Sequence, residues 1–543
     1  MPSILQKLRI EYHPTLPKIL NDLNSLSIVS SNPDQIKQSP LENIFPNTYR
    51  QPILNFIKAN PQKHQPLRVG FVFSGGQAAG GHNVASGLYD ALKKLNPSSK
   101  LFGFLDGPKG IIENKHREMT AEILAPYRNQ GGFDLIGSGR TKIKTEEQFV
   151  ASAKTVSELN LDGLVIIGGD DSNTNAALLA EYFLNKGIQT KVVGVPKTID
   201  GDLKNEYIEI PFGFDSATKT FSEIIGNVLT DALSAKKYTF FIKLMGRTAS
   251  HIALECALQT HANLTFIGEE VESQNRTIRG ITNEIVDLIV ERAKNGKNYG
   301  VILIPEGLIE FIPECKTLIK ELNALLAPDQ SHAKQLEFLS EKNEKISYVS
   351  HLLSNSSQVC FSSLPLEIQI QLLLDRDPHG NVQVSKIDTE RLFIETVRQE
   401  LNDRKIKVKF SPQPLFCGYE GRACLPTNFD CQYCYTLGHV AALLINSGAT
   451  GYICCVQKLH LPTEQWEISG IPLVSMIHLE ERHGKSKPVI KKALVDLNGK
   501  HFEQFKLLRQ KWRLSDDYTN PGPIQFFGPD KVTNSRPITL STC

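Results

Sequence analysis

The stretch Leu164-Val165-Ile166-Ile167-Gly168-Gly169-Asp170-Asp171-Ser172-Asn173-Thr174 decides how this chain is read. Its short apolar run reads as a buried strand. Two glycines end the run, two adjacent carboxylates follow, and a Ser/Asn/Thr cluster opens a helical pattern over Asn175 to Leu184. Glycines let backbone N–H groups come close to an anion, and a helix N-terminus adds the positive end of a dipole. Two carboxylates at a phosphate site look contradictory unless one holds a metal ion and the other excludes something.

Outward from this stretch the same grammar repeats. Arg68 to Phe73 reads as a strand, followed by a glycine turn and a helix from Asn83 to Leu95. A strand over Leu101 to Leu105, a helix over Glu146 to Leu159, the strand ending at Gly168 and a strand over Lys191 to Val195 continue it. After a long helix from Ser216 to Ala235 the pattern restarts. Strands are expected at Tyr238 to Leu244, Leu264 to Ile267 and Gly300 to Ile304, with helices at Ala249 to Ala262 and Thr282 to Asn295. Such alternation predicts an α/β protein. Two Rossmann-like three-layer domains with mostly parallel sheets are expected, with the active site in the cleft between them. Residues 1–66 read as an N-terminal extension wrapped on the body, 67–230 and 231–310 as the two domains, and 311–409 as a mainly helical insertion. Residues 410–543 read as return segments that complete both domains.

A chain of 543 residues is too long for one core, which agrees with two domains. Its 41% apolar content and net charge of +2 are those of an ordinary soluble protein. No basic block suggests nucleic acid, no apolar run reaches membrane-spanning length, and Met1 to Glu11 lacks a signal-peptide core. The expected location is the cytoplasm. Ten cysteines then read as reduced thiols. Of Cys417, Cys424, Cys431 and Cys434, only the last two have C-x-x-C spacing, and a helix continues straight from them, so buried thiols are expected there rather than a metal or redox site.

The polar motifs fall at strand ends, where open α/β sheets bind ligands. Ser74-Gly75-Gly76-Gln77-Ala78-Ala79-Gly80-Gly81-His82-Asn83 places four glycines before a helix, a backbone cradle suited to phosphate. It is no Walker loop: the Gly-Lys-Ser at Gly484 to Ser486 has Leu479 where the first glycine belongs, and no Gly-x-Gly-x-x-Gly fingerprint is present. Pro196-Lys197-Thr198-Ile199-Asp200-Gly201-Asp202 sets two carboxylates beside a lysine. One carboxylate can take an alcohol proton while the lysine neutralises charge on a transferred phosphoryl group. Lys243-Leu244-Met245-Gly246-Arg247, Pro305-Glu306-Gly307 and Gly418-Tyr419-Glu420-Gly421-Arg422 supply arginines that can clamp a sugar phosphate and glutamates that can accept from sugar hydroxyls. Each of these alone reads equally well as a surface turn.

In this order the motifs resemble the phosphofructokinase superfamily, and within it the pyrophosphate-dependent branch of the long type, over about Leu67 to Tyr452. The resemblance implies reversible phosphoryl transfer from pyrophosphate to the C1 hydroxyl of fructose 6-phosphate, with Mg2+ as cofactor. Residues 67–230 would then be the donor domain and 231–310 the fructose 6-phosphate domain. Gly75, Arg140 of Gly137-Ser138-Gly139-Arg140, and Gly169 would bind the donor. Asp170 would coordinate the metal. Asp200 would be the base and Lys197 would balance transition-state charge, with Arg247 also catalytic. Thr198, Ile199 and Asp202 would position sugar and metal-bound phosphate. Met245, Gly246, Arg247, Glu306, Tyr419, Glu420, Gly421 and Arg422 would form the sugar-phosphate site. Lys237 and Tyr238 match positions that reach across a subunit interface, which implies a homodimer.

Asp171 stands where ATP-using relatives have a small residue, in the place of the nucleotide's α-phosphate. Like charge and lost space there should oppose ATP by several kcal/mol in a partly desolvated site. Lys197 is likewise typical of the pyrophosphate branch. One departure is Ala79, where the family more often has proline. Two rival readings are an ATP-dependent 6-phosphofructokinase, opposed by Asp171 and Lys197, and a catalytically weak regulatory subunit, opposed by the retention of Gly75, Asp170, Lys197, Asp200 and Arg247.

Overall fold

The computed structural model describes residues 2–31, 39–328, 330–377, 380–482 and 485–540, without the side chains of 481, 482 and 485. Gly484 of the Gly-Lys-Ser triplet lies outside the described residues. The chain forms two units. One comprises Met1–Ala217, Glu420–Ala493 and Ile524–Thr542; the other comprises Thr218–Tyr419 and Leu494–Pro523.

The first unit is built on a nine-stranded sheet among the described residues. Its strand order is Leu26–Ser31, Ile53–Lys58, Glu467–Pro472, Tyr452–Gln457, Lys191–Pro196, Gly163–Gly168, Arg68–Phe73, Lys100–Phe104 and His116–Met119. The five strands from Tyr452–Gln457 to Lys100–Phe104 run parallel, and antiparallel strands close both edges. All six residues of Gly163–Gly168 are buried, as a central parallel strand covered on both faces requires. Residues 1–66 contribute two sheet strands, paired with each other in antiparallel register. One of the core clusters here joins Val72, Ile166, Val192, Ile453 and Leu473 to Phe183 and Phe45.

The polar cluster after Gly169 is helix and not an entry loop. The helix runs Asp170–Asn185 and not from Asn175, so Asp170 and Asp171 occupy its first turn. Carboxylates there face the unpaired N–H groups and the positive dipole end, which stabilises them without a side-chain cap. Asn173 fixes the start: its side-chain amide donates to the carbonyls of Gly168 at 2.7 Å and Gly169 at 2.9 Å.

Among the described residues the second unit carries a four-stranded, all-parallel sheet in the order Pro412–Cys417, Thr239–Leu244, Gly300–Pro305 and Leu264–Thr265. Residues 311–409 are mainly helical, from Leu308–Phe311 through Thr389–Asp403. Their apolar faces pack into the same core as the sheet: Phe241, Ile302 and Ile304 cluster with Leu318, Leu372, Phe393 and Val397. The insertion is thus part of this unit's core and not a separate body.

Candidate active site

In the first unit, the ends of three neighbouring parallel strands carry the motifs expected to bind the donor. Ser74 pairs with Gly139, and Gly75 N–H donates to the Gly139 carbonyl at 2.8 Å, which brings the Gly137–Arg140 loop against the glycine turn. Gly75 has φ +88°, and a side chain there would start 3.5 Å from Lys197 Nζ. A side chain on Gly76 would start 3.0 Å from the Arg422 guanidinium. Bare backbone in this turn therefore sits under two cations, a cradle in which a side chain would occupy the space of an anion. Ser172 Oγ donates to Ser74 Oγ at 2.8 Å and ties the Asp170–Asn185 helix to the same turn.

Lys197 is the electrostatic centre. It is 6% exposed, and its N–H donates to the Gly168 carbonyl at 3.0 Å. Burial pushes its ammonium down to about 8; Asp200 and Asp170 act against that, while Arg422 and Arg140 add to it. Each of these groups is close enough to perturb it, so the structure gathers Gly75, Arg140, Asp170, Lys197, Asp200 and Arg422 into one constellation. Asp200 is half-buried, in a turn in which its N–H donates to Thr198 Oγ1 at 3.1 Å and Gly201 has φ +74°. Ile199 points into the core at 6% exposure, so it can offer a ligand only backbone. Asp202 is buried as well.

Asp171 differs from the sequence expectation of a partly desolvated acid. Its side chain is 55% exposed and pairs with Lys142 at 2.8 Å. Lys142 and Lys492 are charged partners of the two acids that sequence reading missed. Lys492 Nζ lies 3.5 Å from Asp170 Oδ2 and 3.8 Å from Asp202 Oδ2.

In the second unit, three adjacent strand ends carry the remaining motifs. The strand Thr239–Leu244 leads into Met245-Gly246-Arg247, and Met245 N–H donates to Cys417 O at 2.9 Å. Gly246 N–H donates to Glu306 Oε2 at 3.1 Å, so Glu306 holds this loop as well as standing beside it. Gly307 must be glycine, because a Cβ there would lie 1.8 Å from the Arg247 carbonyl oxygen. Tyr419 is 70% exposed; Glu420, Gly421 and Arg422, from the same short helix, belong to the first unit. Lys237 and Tyr238 are not brought to Arg247. They precede the other end of Thr239–Leu244, about 20 Å away along an extended strand, with Lys237 Nζ 4.8 Å from the Tyr238 ring centroid.

Lys243 is buried between these motifs and the insertion. Its Nζ donates to Ile387 O at 3.1 Å and lies 3.4 Å from Glu390 and 3.7 Å from Asp388. Of the cysteine cluster, Cys431 and Cys434 lie in the helix Asn428–Asn446, free and buried, their thiols pushed up by burial. A side chain on Gly80 would start 2.4 Å from Cys434 Sγ, so this thiol fills the space beside the glycine loop.

The phosphofructokinase family model matches residues 68–358, more than half of the chain. The chain belongs to the phosphofructokinase family. Within the family it is 51% identical over 542 residues to the Entamoeba histolytica pyrophosphate–fructose 6-phosphate 1-phosphotransferase, covering 99% of this chain and 98% of that one. It is 50% identical to the protein of the same name from Treponema pallidum, covering 99% and 96%. It is 42% identical to the alpha subunit of the potato protein. Among solved structures, a pyrophosphate-dependent phosphofructokinase from Nitrosospira multiformis superposes with a TM-score of 0.54 at 14% identity, covering 83% of this chain and 93% of that one. That likeness establishes the fold, two α/β units with helix-covered parallel sheets. No described helix is long and apolar enough to cross a membrane.

Proposed function

We propose that the protein transfers a phosphoryl group reversibly from inorganic pyrophosphate to the C1 hydroxyl of fructose 6-phosphate, yielding fructose 1,6-bisphosphate and phosphate. Half-identical relatives that bear this activity in their name, over nearly their whole length, support it. The observation that carries the chemistry is buried Lys197, with Arg140 and Arg422 beside it, over the bare Gly75-Gly76 backbone.

Phosphoryl transfer needs little covalent help from the protein, so positioning and charge carry it. Asp200, half-buried and next to Lys197, takes the proton of the attacking hydroxyl and returns it in the reverse direction. Lys197, Arg140 and Arg422 offset charge on the phosphoryl oxygens as the bond to the leaving phosphate lengthens. Gly75 and Gly169 offer backbone to the diphosphate. Met245, Gly246, Arg247 and Glu306, with Tyr419 to Arg422, bind the sugar phosphate, and Thr198, Ile199 and Asp202 help position it. The hard oxygens of Asp170 and Asp202, which share one ammonium, are the donor set that Mg2+ prefers. When bound, Mg2+ supplies neutralising charge to the donor's phosphates. A cytoplasmic homodimer that uses Lys237 and Tyr238 across its interface belongs to the same proposal; the exposure of Lys237 and its distance from Arg247 within one chain support it.

The test offers pyrophosphate, ATP and other nucleoside triphosphates separately to purified protein with fructose 6-phosphate and Mg2+. Turnover with pyrophosphate well above every nucleotide is expected. ATP turnover equal to or above that with pyrophosphate would overturn the reading, and a protein inactive with all donors would be the regulatory subunit.

A further inference from the structure

Asp170 and Asp202 share a cation that no motif announces, and its delivery is deliberate. Lys492 lies two residues beyond the strand Lys485–Ile490, the second strand of a hairpin begun by Ile477–Arg482. The backbone is pinned on both sides of it. Ile490 N–H donates to Thr174 Oγ1 at 3.2 Å, on the helix that starts with Asp170, and Ala493 N–H donates to the Asp202 carbonyl at 2.8 Å. The ammonium stands 3.5 Å from Asp170 Oδ2 and 3.8 Å from Asp202 Oδ2. Asp202's side chain is 7% exposed, whereas Lys492's is 36% exposed and keeps a path to solvent.

We propose that Lys492 is a built-in countercation for the Asp170–Asp202 pair, which a divalent cation displaces from Asp170 on entering the donor site. The inference rests on Asp170 being the metal ligand, as proposed above. Two carboxylates close to the place of a polyanionic donor would repel it. A resident ammonium offsets that repulsion until the donor site fills. Lysine suits the exchange because it is a point charge on a flexible stem, while arginine's fork would chelate the carboxylates. Lys492 therefore weakens metal binding to the free enzyme, so that metal enters best when pyrophosphate oxygens complete its coordination.

Mn2+ binding to the full-length protein without pyrophosphate, followed by the electron paramagnetic resonance of free Mn2+, tests this independently of turnover. Lys492→Met should bind Mn2+ about tenfold more tightly than wild type, since one competing unit charge within 4 Å is gone. Lys492→Arg, which keeps the charge, should not tighten binding. Lys492→Gln carries the same expectation as methionine and replaces it if that variant fails to fold. Unchanged or weaker Mn2+ binding by both neutral variants overturns the proposal. Asp170→Asn separates the two readings: it should lose Mn2+ binding in wild-type and Lys492→Met backgrounds alike. If it does not, the metal placement is wrong and the exchange falls with it, whatever Lys492→Met does.

Discussion

Replacing Lys197 with methionine separates the stability of the donor site from its activity. The side chain is 6% exposed, and its ammonium is pushed from 10.5 down to about 8, first by burial. That gap corresponds to about 3 kcal/mol of unfavourable interaction, with the pull of Asp200 and Asp170 already included. Methionine has similar length and no charge, and Asp200, which is half-buried, can hydrate when its partner leaves. Lys197→Met should therefore raise the thermal midpoint of the ligand-free protein by a few degrees, not lower it. The pH dependence has a definite sign. Below about 8, Lys197 is charged in both folded and unfolded chains, so the full burial cost falls on the wild type. Between about 8 and 10.5 the folded protein has shed a proton that the unfolded chain keeps, and wild-type stability rises with pH. The advantage of the variant is thus greatest at pH 7 and shrinks toward pH 10. Turnover should fall by about two to three orders of magnitude, as expected for losing a charge aimed at the transferred group. Pyrophosphate should raise the wild-type midpoint much more than the variant's. Scanning fluorimetry across pH, with and without pyrophosphate, reads all of this. A lowered midpoint at pH 7, or activity within tenfold of wild type, would refute the picture of a strained cation held ready for an anion.

Asp200→Ser should abolish turnover while the dissociation constant for fructose 6-phosphate, measured by calorimetry, changes by only a few fold; near-wild-type kcat would remove Asp200 as the base. Asp171→Gly should raise kcat/KM for ATP by about tenfold at most, because an exposed pair such as Asp171–Lys142 contributes only about 0–1 kcal/mol. A gain of several hundredfold would show that Asp171 governs donor choice despite its exposure. Lys243→Met should destabilise the second unit by about 3 kcal/mol at pH 8, because it strands buried Glu390, a carboxyl already raised by burial. That loss should shrink toward pH 5 as Glu390 takes up a proton, which denaturant titrations at the two pH values would measure.

The parallel core was legible because a strand buried on both faces must be apolar throughout, and runs such as Val69–Phe73 and Gly163–Gly168 leave no other reading. The edges were not. Leu26–Ser31 and Ile53–Lys58 are only partly buried, and the sheet neighbour of Ile53–Lys58, Glu467–Pro472, lies about 400 residues away in the chain. Neither periodicity nor local propensity carries such a pairing. The true start of the helix at Asp170 was hidden for a related reason. Asp, Ser, Asn and Thr satisfy backbone groups with their own side chains, so a run of them reads as a loop even when it forms the first turn of a helix.

The site shows the same division between what is local and what is not. Gly75, Asp170, Lys197 and Asp200 were readable because each sits at the end of an apolar strand, where position alone gives a polar residue meaning. The charged partners of this site were not readable, because they are side chains delivered from distant segments: Arg422 to Gly76, Lys142 to Asp171 and Lys492 to Asp170. The two adjacent acids illustrate the consequence. As sequence they are alike; in the fold Asp170 is 30% exposed and shares a lysine with buried Asp202, while Asp171 is 55% exposed and pairs with a lysine that is itself half in water. Screening makes the second acid a weak barrier by charge alone, so the proposed discrimination against a nucleotide would have to draw on the shape of the helix's first turn as well. The first acid lies in a balance of charges with Lys492 and Asp202, and under the proposed placement of the metal those neighbours, more than Asp170's own identity, would set how tightly a divalent ion is held.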